Sequence, residues 1–347
     1  MRLLITTQAV DAHDPILGFF IRWIEEFAKH CEKVTVVCLR KGTYTLPDNV
    51  RVIELGKASR LVRVLRLWRV IVRLRRDYDA VFVHMNPEYI LAAGLLWRVM
   101  RKRIALWYTH KSVNLYLRLA LIIAHRALTA SKESFRLASR KVHVMGHGID
   151  VERSIPPHTE EPGVVRLMTS GRVSRVKGLG TLIDAYLALK ARGIKVTFSV
   201  FGAPVTEADV AYEQELHTRL RATGEAPEKI FVGAVPHADM PKRRAAMDYF
   251  LHASETGSLD KAVLDAIRSG VIPLTSSEAY RKLFSGVEQR LYYPKGDSGP
   301  LADRIMALEA LKEAERARIR EVLKDRVNTQ HSLQSLIPKI VYILQHA

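Results

Sequence analysis

The residues best placed to do chemistry lie in the stretch 248–276, DYFLHASETGSLDKAVLDAIRSGVIPLTS. It reads as a strand from Tyr249 to Ala253, a polar loop holding Gly257 and Ser258, a helix from about Leu259, a stop at Gly270 and a second strand. In an open parallel sheet such a turn sets its loop at the carboxyl edge of the strands, where ligands collect. The N-terminus of its helix offers unpaired N–H groups and partial positive charge to an anion, so the chemistry it suits is phosphate binding. Gly257 lets a ligand reach the backbone with no Cβ in the way, and Ser258 reads as the N-cap. Lys261 and Asp265, four apart, share one helix face. A second charged loop, Gly171-Arg172-Val173-Ser174-Arg175-Val176-Lys177-Gly178, also joins a strand to a helix. It lacks the Gly-Lys-Ser/Thr order of a Walker loop.

Positive charge is not confined to these loops. Lys and Arg number 54 against 36 Asp and Glu, a formal charge of +18, which calls for a nucleic acid, an anionic membrane surface or a phosphorylated substrate as partner. The stretch 58–76 holds no acidic residue. On a helical wheel Arg63, Arg66, Arg69, Arg73 and Arg76 fall on one side, and Leu61, Val64, Leu65, Trp68, Ile71 and Val72 on the other. Two readings stand side by side: a sheet-covering helix with a solvated arginine face, or a face that lies on anionic head groups.

The elements that must position these loops alternate along the whole chain. Strands are expected at LLITTQ, KVTVVCL, AVFVH, RIALWYTH, 127–129 and KVHVMGHGID, then at VVRLMTS, KVTFSVFG, IFVGAV and on either side of the helix after Leu259. Helices fall between them, at 18–30, 58–76, 179–190 and around 212–223, and close the chain from Gly299. A chain of 347 residues with this pattern is an α/β protein of two Rossmann-like parallel-sheet domains. The proline-rich, aperiodic stretch 151–163 marks the join. Cys31 and Cys38 read as reduced core or edge residues of a cytosolic protein. Met1-Arg2 runs straight into a strand too soon polar for a signal peptide, and the apolar stretch 115–128 is interrupted by Arg118, His125 and Arg126, so no membrane span is expected.

The stretch 264–273, LDAIRSGVIP, resembles the most diagnostic segment of the glycosyltransferases of the GT-B fold, in particular the retaining family 4 enzymes. There a Glu-x7-Glu pair is followed by Ala and a small-x-Gly turn. Here Asp265 stands in place of the second Glu, while eight residues back lies Gly257 and ten back Glu255, so the first Glu is missing. Asp260 and Lys261 are the candidates to share its work, and whether Asp260 or Glu255 replaces it is open. The loop Gly171 to Gly178 resembles the family's Gly-Arg and Lys-Gly segment, in which Arg172 and Lys177 would reach the donor diphosphate. The family likeness extends over most of the chain, strongest at 166–186 and 252–276.

The resemblance implies a GT-B architecture with two Rossmann-like domains facing a cleft, divided as 1–152, linker 153–163, 164–330, and a C-terminal helix, 331–347, crossing back to the first domain. It implies a metal-independent, cofactor-free glycosyltransferase that moves a hexose-type sugar from a nucleotide-sugar donor, with retention, to a lipid-linked or glycan acceptor. His110, Arg172 and Lys177 would be catalytic, with His110 positioning the reacting sugar and domain closure excluding water. Gly18, Gly171, Gly257, Ser258, Asp260, Lys261 and Asp265 would bind the donor, Asp265 taking the ribose hydroxyls and the backbone at Val232 to Val235 the base. Asp14, His84, Asn86 and Ser131 would face the acceptor side. Asp77-Tyr78-Asp79 has the spacing of a metal-binding pair in a different fold but precedes a strand, at the edge away from ligands, and is read as a helix-to-strand loop. The protein is expected to be cytoplasmic and peripheral on the inner face of a membrane. Two other readings compete: a nucleotide-sugar 2-epimerase on the same fold, and a basic nucleic-acid-binding protein. Against the last, no nucleic-acid module is recognisable and the aromatic residues are scattered.

Overall fold

The computed structural model describes every residue except Pro15, Lys111, Arg153, Glu160 and Thr256. These residues divide into two compact units, Met1–Glu152 with Gln330–Ala347, and Arg153–Thr329. Of the expected linker, Arg153 and Glu160 lie outside the described residues.

The first unit is built on seven parallel strands among the described residues: β1 (Arg2–Val10), β2 (Lys33–Lys41), β3 (Val50–Glu54), β4 (Ala80–His84), β5 (Arg103–Trp107), β6 (Arg126–Thr129) and β7 (Val142–Val144). Their order is β3-β2-β1-β4-β5-β6-β7, so the winding reverses between β1 and β4 and their carboxyl ends diverge there. The central strands are buried on both faces, which is why β4 is an unbroken run of buried residues rather than an alternation. Helix α1 (Phe20–His30) covers one face, packing Trp23, Ile24 and Phe27 on Leu3, Ile5 and Phe82. Helices α2 (Arg60–Arg73), α3 (Glu88–Val99) and α4 (Leu115–Ile123) cover the other, setting Leu67, Ile71, Trp97 and Leu117 against Leu4, Val81 and Leu106. Asp79 pairs with Arg2 at 2.7 Å, tying together the amino ends of β1 and β4. Cys31 and Cys38 are buried free thiols, and burial pushes both up to about 11.

The second unit has five parallel strands among the described residues: β8 (Val165–Ser170), β9 (Val196–Phe201), β10 (Phe231–Gly233), β11 (Tyr249–His252) and β12 (Ile272–Thr275), in the order β10-β9-β8-β11-β12. Its helices are α5 (Leu179–Ala191), α6 (Glu207–Ala222), α7 (Pro227–Ile230), α8 (Met240–Ala245), α9 (Lys261–Arg268), α10 (Glu288–Leu291), α11 (Ser298–Glu309) and all but the last two residues of α12 (Glu313–His331). The switch here falls between β8 and β11, which brings the loops after these two strands together. Strand β10 is shorter than the sequence pattern suggests, because Gly233, at φ 83°, turns the chain out of the sheet.

Helix α13 (Leu333–Gln345) belongs to the first unit and packs on α1. Its start is pinned by backbone bonds from Ile149 N to His331 O and from Leu333 N to Ile149 O, at 2.7 and 2.8 Å. Gln334 and Arg22 then share Asp150, at 2.8 and 2.7 Å. No helix among the described residues is long and apolar enough to cross a membrane.

Candidate active site

The loop after β8 and the loop after β11 are joined by their backbones. Glu255 N donates to Val176 O at 2.8 Å, and Gly178 seats against Ala253 so closely that a Cβ there would lie 2.6 Å from the Ala253 carbonyl oxygen. Gly178 also has φ 63°, the left-handed region, where it ends a short 3-10 turn and begins α5. These constraints deliver Lys177 to the head of the other loop, where its Nζ lies 2.6 Å from Asp260 Oδ2.

Asp260 is the hub of a buried polar cluster. Its Oδ2 also receives His252 Nε2 at 3.1 Å, and its backbone N donates to the Tyr280 hydroxyl at 2.7 Å. His252 Nδ1 lies 2.8 Å from Thr275 Oγ1, which in turn accepts Ser277 N at 3.0 Å. One proton assignment satisfies the whole chain: Thr275 donates to Nδ1 and Nε2–H donates to Asp260. Burial alone would raise the Asp260 pKa, but the bond from His252 and the charge of Lys177 outweigh it and hold the carboxyl well below the usual range. The centre is therefore an ammonium fixed by an ionised carboxylate. Lys177 uses one of its three donors on Asp260 and has others to give to an anion.

Glu255, the other carboxylate of this loop, pairs with Lys295 at 3.5 Å on the exposed surface, so of the two only Asp260 engages Lys177. The N-cap expected at Ser258 is a correction. Helix α9 begins at Lys261 with Asp260 in the cap position, because Asp260 is held by Lys177, His252 and Tyr280 in extended geometry (ψ 127°) and the helix starts only after it. Gly257 takes φ 63° in the turn before it. Lys261 and Asp265 do meet, at 2.9 Å, and this charge with that of Arg244 holds the Asp265 carboxyl low despite its burial.

Arg172, at the start of the loop after β8, leans toward Asp209 at the N-terminus of α6, 3.8 Å away, and stays half exposed. Gly171 N bonds Phe201 O at 2.9 Å, which fixes this loop beside the end of β9. Val232 is exposed on β10 and Val235 lies just past it, half-buried. Sequence reasoning missed His252, Thr275 and Tyr280. The signal for His252 and Thr275 was polar character at strand ends in an otherwise apolar sheet, and their meeting depends on the β11–β12 pairing, whereas Tyr280, in a short 3-10 turn after β12, gave none.

In the first unit the carboxyl ends of β1, β4 and β5 enclose a cavity of about 620 Å³ lined by Asp14, His84, Asn86 and His110 among others. Asp14 is buried and works locally: its Oδ1 accepts Ile16 N and Leu17 N at 2.9 and 2.8 Å, and its Oδ2 meets Arg40. Gly18 closes this turn, where a Cβ would strike the Asp14 carbonyl oxygen, so its position is accounted for by the turn itself. His84 is stacked on Phe20, ring centroids 3.9 Å apart, with Nδ1 3.2 Å from Thr7 Oγ1, and burial lowers its pKa to about 3. Asn86 Oδ1 accepts Gln8 Nε2 at 3.1 Å. Between them Met85 sits at φ 66°, a conformation that a non-glycine residue holds only when its surroundings impose it. His110 is exposed on the cavity wall, its Nδ1 accepting Ser112 N at 3.1 Å. Ser131 does not line the cavity, and its hydroxyl closes a local turn with Ser134 at 3.0 Å.

Residues 165–310, most of the second unit, match the family described as Glycosyl transferases group 1. Three solved structures share the fold over the full chain. Anabaena HepE in complex with UDP and glucose has TM-score 0.77 at 18% identity, covering 100% of both chains. Sucrose-phosphate synthase from Thermosynechococcus elongatus has 0.73 at 13%, covering 100% of this chain and 99% of its own. The lipopolysaccharide outer core galactosyltransferase WaaB has 0.68 at 13%, covering 100% of both. No curated protein sequence matches the chain. The molecule has the two-sheet GT-B fold of these structures, and its second unit is similar to the group 1 glycosyltransferase family over residues 165–310.

Proposed function

We propose that this glycosyltransferase moves a hexose-type sugar from a nucleoside-diphosphate donor to a lipid-linked or other glycan acceptor, with retention at the anomeric carbon and without a metal ion. The observation that carries the reading is Lys177, an ammonium locked by Asp260 at the carboxyl edge of the second sheet within a group 1 domain. HepE, which shares the fold, is known in complex with UDP-glucose, and a uridine donor is the first to try. WaaB, named for a lipopolysaccharide core, supports a lipid-linked acceptor.

In this reading the donor diphosphate meets Lys177, Arg172 and the backbone after Gly257, with Asp265 on the ribose and the backbone from Val232 to Val235 on the base. As the bond from the anomeric carbon to the β-phosphate oxygen breaks, its electron pair stays on that oxygen, and the fixed cations stabilise the new charge. The acceptor oxygen attacks from the same side and its proton passes to the departing phosphate, so no separate base is required. The cavity of the first unit takes the acceptor, with His110 at its wall. The enzyme works in the cytoplasm, peripherally on the inner face of a membrane.

Lys177→Ala and Arg172→Ala should each lower sugar turnover by about a hundredfold to a thousandfold, the usual cost of removing one preorganised donor. Circular dichroism should be unchanged, and EDTA should leave the wild-type rate intact. Wild-type turnover in both variants would remove the phosphate role, and a strict Mn²⁺ requirement would remove the metal-free account.

A further inference from the structure

Helices α2, α3 and α4 lie side by side over one face of the first sheet: Trp68 Nε1 of α2 donates to Ala92 O of α3 at 2.7 Å, and Gly94 of α3 faces Ile123 of α4. Their inner side supplies the core. Their outer side is apolar as well. On α2 the exposed residues Leu61, Leu65, Trp68 and Val72 recur at the i, i+4, i+7, i+11 spacing of a single helical stripe. Leu95 and Val99 continue it on α3, and Leu119 and Ile122 on α4, with Leu61, Leu95 and Ile122 about 70% exposed (70%, 69% and 71%). A helix that only covers a sheet needs one apolar face, and α2 has two.

The same three helices carry seven arginines and a single carboxylate, Glu88. Among the described residues no carboxylate pairs with Arg60, Arg63, Arg69, Arg73 or Arg118. The opposite face differs: on α1, Arg22 pairs with Glu25 and Asp150, and Lys29 with Glu26 and Glu152. A large apolar area ringed by unneutralised cations selects its partner. A second copy would bring arginines against arginines. Single-stranded nucleic acid asks for aromatic platforms, whereas this stripe is mostly aliphatic. An anionic bilayer satisfies both features at once, lipid phosphates meeting the guanidinium groups and acyl chains meeting the aliphatic side chains.

We infer that the outer face of α2, α3 and α4 is a membrane-docking surface that inserts these apolar side chains below the head groups of an anionic bilayer. Attachment is thus by insertion as well as by charge, which deepens the peripheral placement proposed above and rests on it only for the identity of the acceptor. The layer also ends at the acceptor cavity, since Pro87 and Glu88 at the start of α3 and Asn114 at the start of α4 line it. A lipid-linked head group at the bilayer surface would meet that cavity directly.

The test is flotation of the full chain with vesicles of phosphatidylcholine, with or without about one third phosphatidylglycerol, at low salt and at about 0.5 M NaCl, where the Debye length is only a few Å. The wild type should bind the anionic vesicles and keep part of that binding in high salt. Leu61→Ser/Leu65→Ser/Leu119→Ser/Ile122→Ser should lose the salt-resistant part and bind about tenfold or more weakly. Arg63→Gln/Arg69→Gln/Arg73→Gln should lose mainly the low-salt part. Should the fourfold variant misfold, Leu61→Glu alone, at an exposed site, should show the same loss. No wild-type binding, or equal salt-resistant binding in the apolar variants, overturns the inference. So does a wild-type dimer that the apolar variants split, with no vesicle binding, since the face is then a self-association surface. UDP titration of the same samples keeps the two readings apart: failed vesicle binding with intact UDP binding sinks only the docking surface, and the converse sinks only the donor reading.

Discussion

Asp260 shows how one carboxylate can fix the position of a neighbouring cation. It touches Lys177, His252 and the turn that starts α9, so its charge sets where the ammonium points. Asp260→Asn keeps the shape and the acceptor for His252 while freeing Lys177. UDP affinity should stay within about threefold, because a negative neighbour of the diphosphate is removed, while turnover drops about tenfold or more for want of positioning. Equal losses in affinity and rate, seen by calorimetry beside initial rates, would make Asp260 a structural residue only. His84 offers a pH test in the first unit. Burial lowers its pKa from 6.5 to about 3, so the folded form keeps it neutral while the unfolded chain takes up a proton below pH 6.5. Stability from this group is present above that pH and lost as pH falls toward 3, by about 2 kcal/mol between pH 7 and pH 5. Urea unfolding at the two pH values should show that step shrink in His84→Phe, and an unchanged pH dependence would refute the assignment.

At the scale of elements, the site depends on two loops being held together by backbone rather than by long side chains. Gly178→Ala tests this, because the new Cβ would meet the Ala253 carbonyl and force an alanine into φ 63°. It should cost about 1–3 kcal/mol of stability and weaken UDP binding with it. An unaltered midpoint and affinity would mean that the loops tolerate separation. This is also where sequence reading reached its limit. Buried parallel strands announce themselves as apolar runs, so β1, β4, β8 and β11 were legible to within a residue or two. The start of α9 was not, since Ser258 is as good a cap chemically as Asp260 and only the tertiary bonds of Asp260 decide between them. Helix α2 shows a related limit. Its arginine and apolar sides were visible on a wheel, but not that Leu67 and Ile71 alone would be buried while Leu61, Leu65, Trp68 and Val72 stayed outside.

For the molecule as a whole, alternation of strands and helices on either side of the stretch 151–163 foretold two parallel-sheet units, while the reversals of winding at β1/β4 and β8/β11 emerge only in the structure. The glycosyltransferase likeness was legible because the loops of the second unit are short and keep their charged residues in order. Partnerships that cross from strand to strand, such as His252 with Thr275, were not, because register is a property of the folded sheet. The most direct test of the central claim is calorimetric titration of UDP and UMP into wild type and Lys177→Ala. If Lys177 grips the second phosphate, the variant should bind UDP about tenfold to a hundredfold more weakly, the worth of one charge-assisted bond, and bind UMP nearly as well as the wild type does. Equal UDP affinity in both proteins would contradict the account.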